Sequence, residues 1–252
     1  MSSFCSASKH STYATGRLTC EDDRLFRPGG LELTARAVAF ANLAAGETVL
    51  DIGCGRGESV RFLRTLGVDA IGVDCEQSIE TGFGHGISPF AHVVANAESM
   101  PFPTGSIDGV LAECSLSVTS DQEQVLAECA RVLVDGGKLI LSDLYARQPE
   151  AIGMVRALKG SCVSGVIVRE QLEQSLALRG FTVDLWEDHS QALRECAAHF
   201  ILEHGTLDGL WKCEAEASAE ATQTAMRAVR AGYFLLIATR RSRNSPERWM
   251  EG

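Results

Sequence analysis

The sequence predicts an α/β fold of three layers: a seven-stranded, mostly parallel sheet with helices packed on both faces. Three observations carry that expectation. Short apolar runs alternate with helix-length stretches from residue 48 to residue 143, the pattern of successive βα units. The runs are rich in Val, Ile and Leu, as strands covered on both sides require. Between Ile52 and Glu58 three glycines alternate (Gly53, Gly55, Gly57), where a strand turns sharply into a helix.

Length and composition bound the reading. The 252 residues suffice for one α/β domain and a smaller appendage. Hydrophobic residues make up 45% and charged residues 22%, the balance of a soluble globular protein. A net charge of −10 argues against nucleic acid as the main ligand, since a phosphate backbone needs a basic face. The polar, Ser-rich start has no apolar leader, and no apolar run reaches the ~18 residues of a membrane span. A cytoplasmic protein is therefore expected. Its nine cysteines, without a C-x-x-C pair, are expected to be reduced and mostly buried as small apolar residues.

The elements follow in order. Residues 1–30 read as a polar arm, ending in the turn Arg27-Pro28-Gly29-Gly30. The domain proper is expected over 31–240. An Ala-rich helix over about 31–43 is followed by a strand at 48–52 and a helix at about 57–66 that Gly67 closes. A second strand, 70–74, leads to a short helix from about 76 and a loop at 82–90 containing His85, which is expected on the outside. Further strands are expected at about 91–95 and 107–113, then a helix at about 121–133 with Val125, Leu126, Cys129, Val132 and Leu133 on one face. Asp135-Gly136-Gly137 turns the chain into a strand at 138–142. Residues 150–180 read as helical with a break at 160–165, and 181–186 and 233–238 as the last two strands. Between these lies a helical insert, 188–230, with helices at about 190–204 and 214–229 and the role of a lid or a homodimer contact. The charged tail, 241–252, reads as disordered.

Four pieces carry chemistry. Asp51 precedes the glycine turn, whose G-x-G-x-G spacing differs from the G-x-G-x-x-G of dinucleotide enzymes. Its carboxylate suits a cationic amine and would repel a pyrophosphate. Asp74 ends the second strand and can accept both hydroxyls of a ribose. Asn96, after the third strand, can reach a purine edge, with Met100 or Phe102 on the ring face. Arg131–Leu139 forms the tight turn into the fifth strand.

In this order the pieces resemble the class I S-adenosylmethionine-dependent methyltransferases, in the branch of the UbiE and arsenite methyltransferases, over about residues 46–144. VLDIGCGRG matches the family's first motif, IGVD its ribose motif, NAESMPFPTGSIDGV its adenine motif and RVLVDGGKLILSD its strand-five motif. The resemblance implies a Rossmann-like class I methyltransferase sandwich. It implies S-adenosylmethionine as cofactor, S-adenosylhomocysteine as product, and a small-molecule methyl acceptor with no metal. Asp51, Gly53, Cys54 and Gly55 would hold the methionine end, Asp74 with Cys75 the ribose, and Asn96, Ala97 and Glu98 the adenine. Glu113-Cys114 would lie under the transferable methyl. The family usually has Asp at Asn96 and Pro at Asp135. In similar enzymes the N-terminal segment folds over the cofactor, which would bring Tyr13 to the sulfonium or the methionine carboxylate and Arg27 close by.

On the acceptor side the weak candidates are Asp143 and Tyr145 after the fifth strand, His189 after the sixth, Tyr13 and Cys162. Ser161–Val166, with Arg169-Glu170-Gln171-Leu172, is similar to the segment of arsenite methyltransferases in which a cysteine binds the metalloid, so arsenite methylation through Cys162 is one alternative. His199 and His204 are five apart and do not share a helical face. A non-catalytic S-adenosylmethionine-binding module in a protein assembly is a second alternative, and a NAD-dependent enzyme, disfavoured by the glycine spacing, a third.

Overall fold

The computed structural model describes residues 27–75, 90–158, 163–207 and 218–242. Expectations for Tyr13, His85, Cys162, the helix from about 76, and most of the N-terminal arm and the tail fall outside the described residues.

Seven strands form one sheet in the order β3-β2-β1-β4-β5-β7-β6. They are β1 Thr48–Ile52, β2 Asp69–Asp74, β3 His92–Val94, β4 Ile107–Glu113, β5 Leu133–Tyr145, β6 Phe181–Asp188 and β7 Gly232–Arg240. All pairings are parallel except those of β7, which runs antiparallel to both β5 and β6. The strand order reverses between β1 and β4, the place where an open parallel sheet leaves a crevice at its carboxyl edge. The expected α/β sandwich is thus the observed fold.

Each central strand is apolar on both sides because both sides are covered. In β7, Tyr233, Leu235 and Ile237 join the cluster under α1 (Gly30–Ala41), α2 (Glu58–Thr65) and α6 (Ser190–His204). Phe234, Leu236 and Ala238 join the cluster under α3 (Gln122–Val132) and α5 (Arg169–Leu178). A smaller cluster joins α4 (Ile152–Arg156) to α7 (Ala219–Ala228). The caps follow local chemistry. Asn42 ends α1 in the left-handed region at φ 55°. Asp121 caps α3 by accepting from the Gln124 N–H, and Ser218 caps α7 through Ala221 N–H.

Three boundaries differ from the sequence reading. Strand β5 begins at Leu133 rather than 138, because Leu133 already pairs with Ile107. The Asp135-Gly136-Gly137 turn survives as an irregularity inside the strand, with Gly136 at φ +84°. Among the described residues, α-helix between 150 and 180 is confined to α4 and α5, with a 3-10 turn at Pro149–Ala151 before α4. Residues 163–168 instead lie along the end of β5, where Ala146 N–H donates to Ile167 and Ile167 N–H to Leu144. The second helix of the insert starts at Ala219, five residues later than expected.

The ring of Phe90 supports the glycine turn from behind. A Cβ on Gly57 would lie 2.3 Å from it, and one on Gly72 2.9 Å from it and 2.6 Å from Cys54 Sγ. Gly57 also sits at φ +72°, where a side chain is strained whatever the space. Gly57→Ala is therefore expected to lose about 1–3 kcal/mol of stability. Urea denaturation of the two proteins checks this, and an unchanged midpoint would contradict the packing described.

Candidate functional site

The carboxyl ends of β1, β2 and β4 meet at the glycine turn. Gly53 N–H donates to Val73 O at 2.7 Å and Gly55 N–H to Asp74 Oδ2 at 2.9 Å, so the turn is tied to the end of β2. Asp51 and Glu113 alternate with Val49 and Leu111 on the sheet face that α1 and α2 cover.

On that face lies a buried polar cluster. Arg27 pairs directly with Glu113, with only 13% and 5% of the two side chains exposed. Glu113 also accepts from Thr34 Oγ1 of α1 at 2.8 Å and from Ser59 Oγ of α2 at 2.6 Å. Arg27 donates in addition to Ser59 Oγ at 2.8 Å and Thr34 Oγ1 at 3.0 Å. Burial works against the Arg27 charge, but Glu113, Tyr233, Cys114 and Asp51 together outweigh it and raise the guanidinium pKa. The sequence reading set Glu113 under the transferable methyl. In the structure its carboxylate accepts from three donors, because its strand position turns it toward α1 and α2. Arg27, expected near a ligand carboxylate, serves as its counter-ion.

Asp51 is different. It is 4% exposed, and no described residue donates a hydrogen bond to its carboxylate. Burial first, then the charges of Glu113 and Asp74, push its pKa well up, against a smaller pull from Arg27. Asp51 and Glu113 thus both feel the Arg27 guanidinium, and Asp74 adds negative charge beside Asp51.

On the far side of β2, Asn96 is exposed and forms a tight turn in which its Oδ1 accepts from Glu98 N–H at 3.0 Å. Its Nδ2 donates to Glu98 Oε2. Glu98 in turn accepts from Asp121 N–H at 2.8 Å, joining this loop to the start of α3. Ala97 packs half-buried against the core. Met100, a candidate for the ring face, is a core residue, its N–H held by Glu128 and its carbonyl by Arg131. Phe102 lies half-buried beside it.

The acid–base candidates are occupied. Asp143 is 1% exposed and accepts from Ser117 N–H at 2.8 Å, Ser117 Oγ at 2.6 Å and Leu144 N–H at 2.7 Å. Burial raises its pKa against these bonds. It braces the turn after β4 through Ser117. Tyr145 is buried edge-on to Trp186 and Phe234, and burial with the nearby Asp188 raises its pKa. His189 stands at the carboxyl edge as expected, its Nε2 2.9 Å from Glu187 Oε2. Glu187 is also bound by Arg36, and that bond chiefly lowers its pKa to about 2.

The thiols divide by burial. Cys54 and Cys114 are both pushed far above the ordinary thiol range by burial. The Cys114 thiol lies 3.0 Å from Tyr233 Oη, which donates to Ser142 Oγ at 3.1 Å. Cys75 is exposed at the end of β2. Tyr13 and Cys162 lie outside the described residues.

Further along the edge a cleft of about 590 Å³ opens between the start of α3 and residues 164–172, lined by Thr119, Asp121, Gln122, Arg156, Ser164 and Gln171 among others. Among the described residues no group of His, Cys, Asp and Glu is arranged to hold a metal ion, and no helix is long and apolar enough to cross a membrane.

Sequence reading missed Thr34, Ser59, Ser115, Ser117 and Tyr233. Thr34 and Ser59 carried a signal, as polar residues on the buried stripes of α1 (with Leu33, Ala37, Val38, Ala41) and α2 (with Val60, Leu63).

Residues 50–141 match the profile of the methyltransferase domain family. The chain is 32% identical to the O-methyltransferase resE of Aspergillus sclerotiorum, over 60% of this chain and 61% of that one. It is 31% identical to the 27-O-demethylrifamycin SV methyltransferase of Amycolatopsis mediterranei, over 64% of each. It is 29% identical to an arsenite methyltransferase of Aquipseudomonas alcaligenes, over 56% of this chain and 45% of the relative. The chain thus spans less than two thirds of each of these relatives. The solved [4+2]-cyclase SpnF superposes with a TM-score of 0.59 at 25% identity, over 83% of this chain and 80% of that one. A phosphoethanolamine N-methyltransferase of Haemonchus contortus, solved with S-adenosylhomocysteine, gives 0.65 at 17% identity over 93% and 58%, a likeness of fold alone.

The Asp51 geometry has a signed consequence for stability. Its folded pKa lies above the value of about 4 for an unfolded chain, so between the two the folded state binds more protons. Its contribution is most favourable below about pH 4 and declines as pH rises through the folded value. Asp51→Asn is expected to be more stable than the native protein at pH 8, with the advantage shrinking toward pH 4. Urea denaturation at both ends measures it, and an advantage that grows on acidification would refute the assignment.

Proposed function

We propose, for a chain that belongs to the class I S-adenosylmethionine-dependent methyltransferases, that it binds S-adenosylmethionine at the glycine turn and methylates a small-molecule acceptor. S-adenosylhomocysteine would be the second product. The observation that carries this reading is the acid excess at the turn. Asp51 and Glu113 are buried carboxyls beside the buried Arg27, and Asp74 adds a third carboxylate at the end of β2, where it binds Gly55 N–H. A pyrophosphate would be repelled there, while an ammonium and a sulfonium would be drawn in.

In this reading Asp51 faces the ammonium of the methionine end, and the backbone of Gly53 and Gly55 lies along it. Asp74 accepts from the ribose hydroxyls, releasing the Gly55 N–H it now binds. Asn96, Ala97 and Glu98 border the adenine. When bound, the sulfonium supplies an activated methyl and its own leaving group, so the protein's task is to align the acceptor and exclude water. Acceptors with a ready nucleophile suit the edge, since Asp143, Tyr145 and Glu113 are already engaged. The cleft beside α3, joined to the end of β5 through Ile167, is of a size for a small molecule. Among the described residues Cys54, Cys75, Cys114, Cys129 and Cys196 form no disulfide, which suits a reducing cytoplasm.

Calorimetric titration with S-adenosylhomocysteine tests binding. Asp51→Ala and Asp74→Ala should each weaken it by at least about tenfold, the scale of one lost charge-assisted contact. Affinity unchanged in both would overturn the reading. Turnover is followed as S-adenosylhomocysteine formed with thiol, metalloid, quinol and amine acceptors. Binding without turnover on the whole panel would favour the non-catalytic module.

Relatives named arsenite methyltransferases favour a second reading, methylation of arsenite with Cys162 as a ligand. It requires arsenite-dependent turnover that Cys162→Ser abolishes. Activity retained in that variant would exclude it.

A further inference from the structure

A buried hydroxyl beside the glycine turn makes no hydrogen bond with any described residue. Ser115 is 6% exposed, and among the described residues its Oγ has no hydrogen-bond partner. A buried polar group left unpaired costs stability, so such groups are rare and call for a cause. Its position suggests one. A Cβ built on Gly53 would meet Ser115 Cβ at 2.6 Å and Oγ at 3.4 Å, so the serine lies against the glycine that ends β1.

The chain holds Ser115 there from both sides. Cys114, just before it, takes the left-handed φ of 54° without being glycine, a strained conformation for such a residue. Its N–H donates to Ser142 O at 2.8 Å and its thiol meets Tyr233 Oη. Two residues further on, Ser117 is bound twice by Asp143. The neighbouring acceptor, Glu113, is already filled by Arg27, Thr34 and Ser59.

We propose that Ser115 is a cofactor-contacting residue whose hydroxyl hydrogen-bonds the α-amino-acid end of the bound S-adenosylmethionine, beside Asp51. The inference rests on the functional reading above and adds a contact to it. The frame built by Cys114, Tyr233, Ser142 and Asp143 fixes the hydroxyl in advance, so little ordering accompanies binding.

Ser115→Ala keeps the Cβ and deletes only the orphan oxygen. The ligand-free variant is expected to melt at or above the native temperature, since a structural hydroxyl would lower it and an unpaired one would not. Affinity for S-adenosylhomocysteine should fall about tenfold, the worth of one hydrogen bond in a site closed to water. Affinity for 5′-methylthioadenosine, which lacks the amino-acid end, should change less than about twofold. Native affinity for S-adenosylhomocysteine in the variant would overturn the proposal. So would equal losses for both ligands, or a lowered melting temperature without a selective loss. Failure of the native protein to bind S-adenosylhomocysteine would instead remove the functional reading, and this inference with it.

Discussion

The carboxyl edge of this sheet depends on one salt bridge that water barely reaches, that of Arg27 with Glu113. It joins Arg27, three residues ahead of α1, to the last residue of β4, 86 positions away. Thr34 ties α1 to the same carboxylate and Ser59 ties α2. Burying two charges is costly, and the pair endures because its lone pairs and protons are met by hydroxyls within reach. An apolar pair of equal volume would hold the helices as well or better. What it would not supply is a fixed positive charge beneath the glycine turn, or a fixed position for the start of α1 over the crevice.

That single positive charge sets the electrostatics of its neighbours. Glu113 consumes most of it at close range. Asp51, on the adjacent strand and the same face, receives only a partial pull and is dominated by burial and like charge. Asp74 lies further along the same edge, tied to Gly55. Around Asp51 the carboxyl charge of Glu113 and Asp74 is only partly offset by Arg27, the environment the proposed ammonium would meet. Stability and binding pull apart here: the arrangement that leaves Asp51 poorly solvated in the free protein is the one that rewards an ammonium beside it.

The sheet could be read from the sequence, and the site only in part, for physical reasons. Strands covered on both faces write themselves as apolar runs, so β1, β2, β4 and β7 were visible with small errors at the ends. The glycine turn was visible because a backbone at positive φ asks for glycine at Gly53, Gly55 and Gly57. The partners were not visible. Glu113 stands at the expected strand end, but the face it takes and the donors it meets come from α1 and α2. Asp143 reads the same in sequence whether it faces ligand or braces a turn, and only the fold brings Ser117 to it. Met100 reads as a ring-stacking residue until Glu128 and Arg131 pin its backbone into the core. The strand-like start of β5 was hidden by the Gly136-Gly137 turn, because pairing with β4 resumes on both sides of it.

The fold does not by itself choose the chemistry, since the cyclase SpnF superposes on 83% of this chain. The choice falls to groups that remain available at the edge. Among the described residues the candidates Glu113, Asp143 and His189 each already have hydrogen-bond partners, and Tyr145 is buried against Trp186 and Phe234. A reaction at this edge can gain its rate from alignment and dehydration of reactants that carry their own reactivity. An activated methyl facing a ready nucleophile meets that condition, because the leaving group departs without needing a proton. The hydrogen-bond network that engages Glu113, Asp143 and His189 is thus the same feature that suits the edge to displacement.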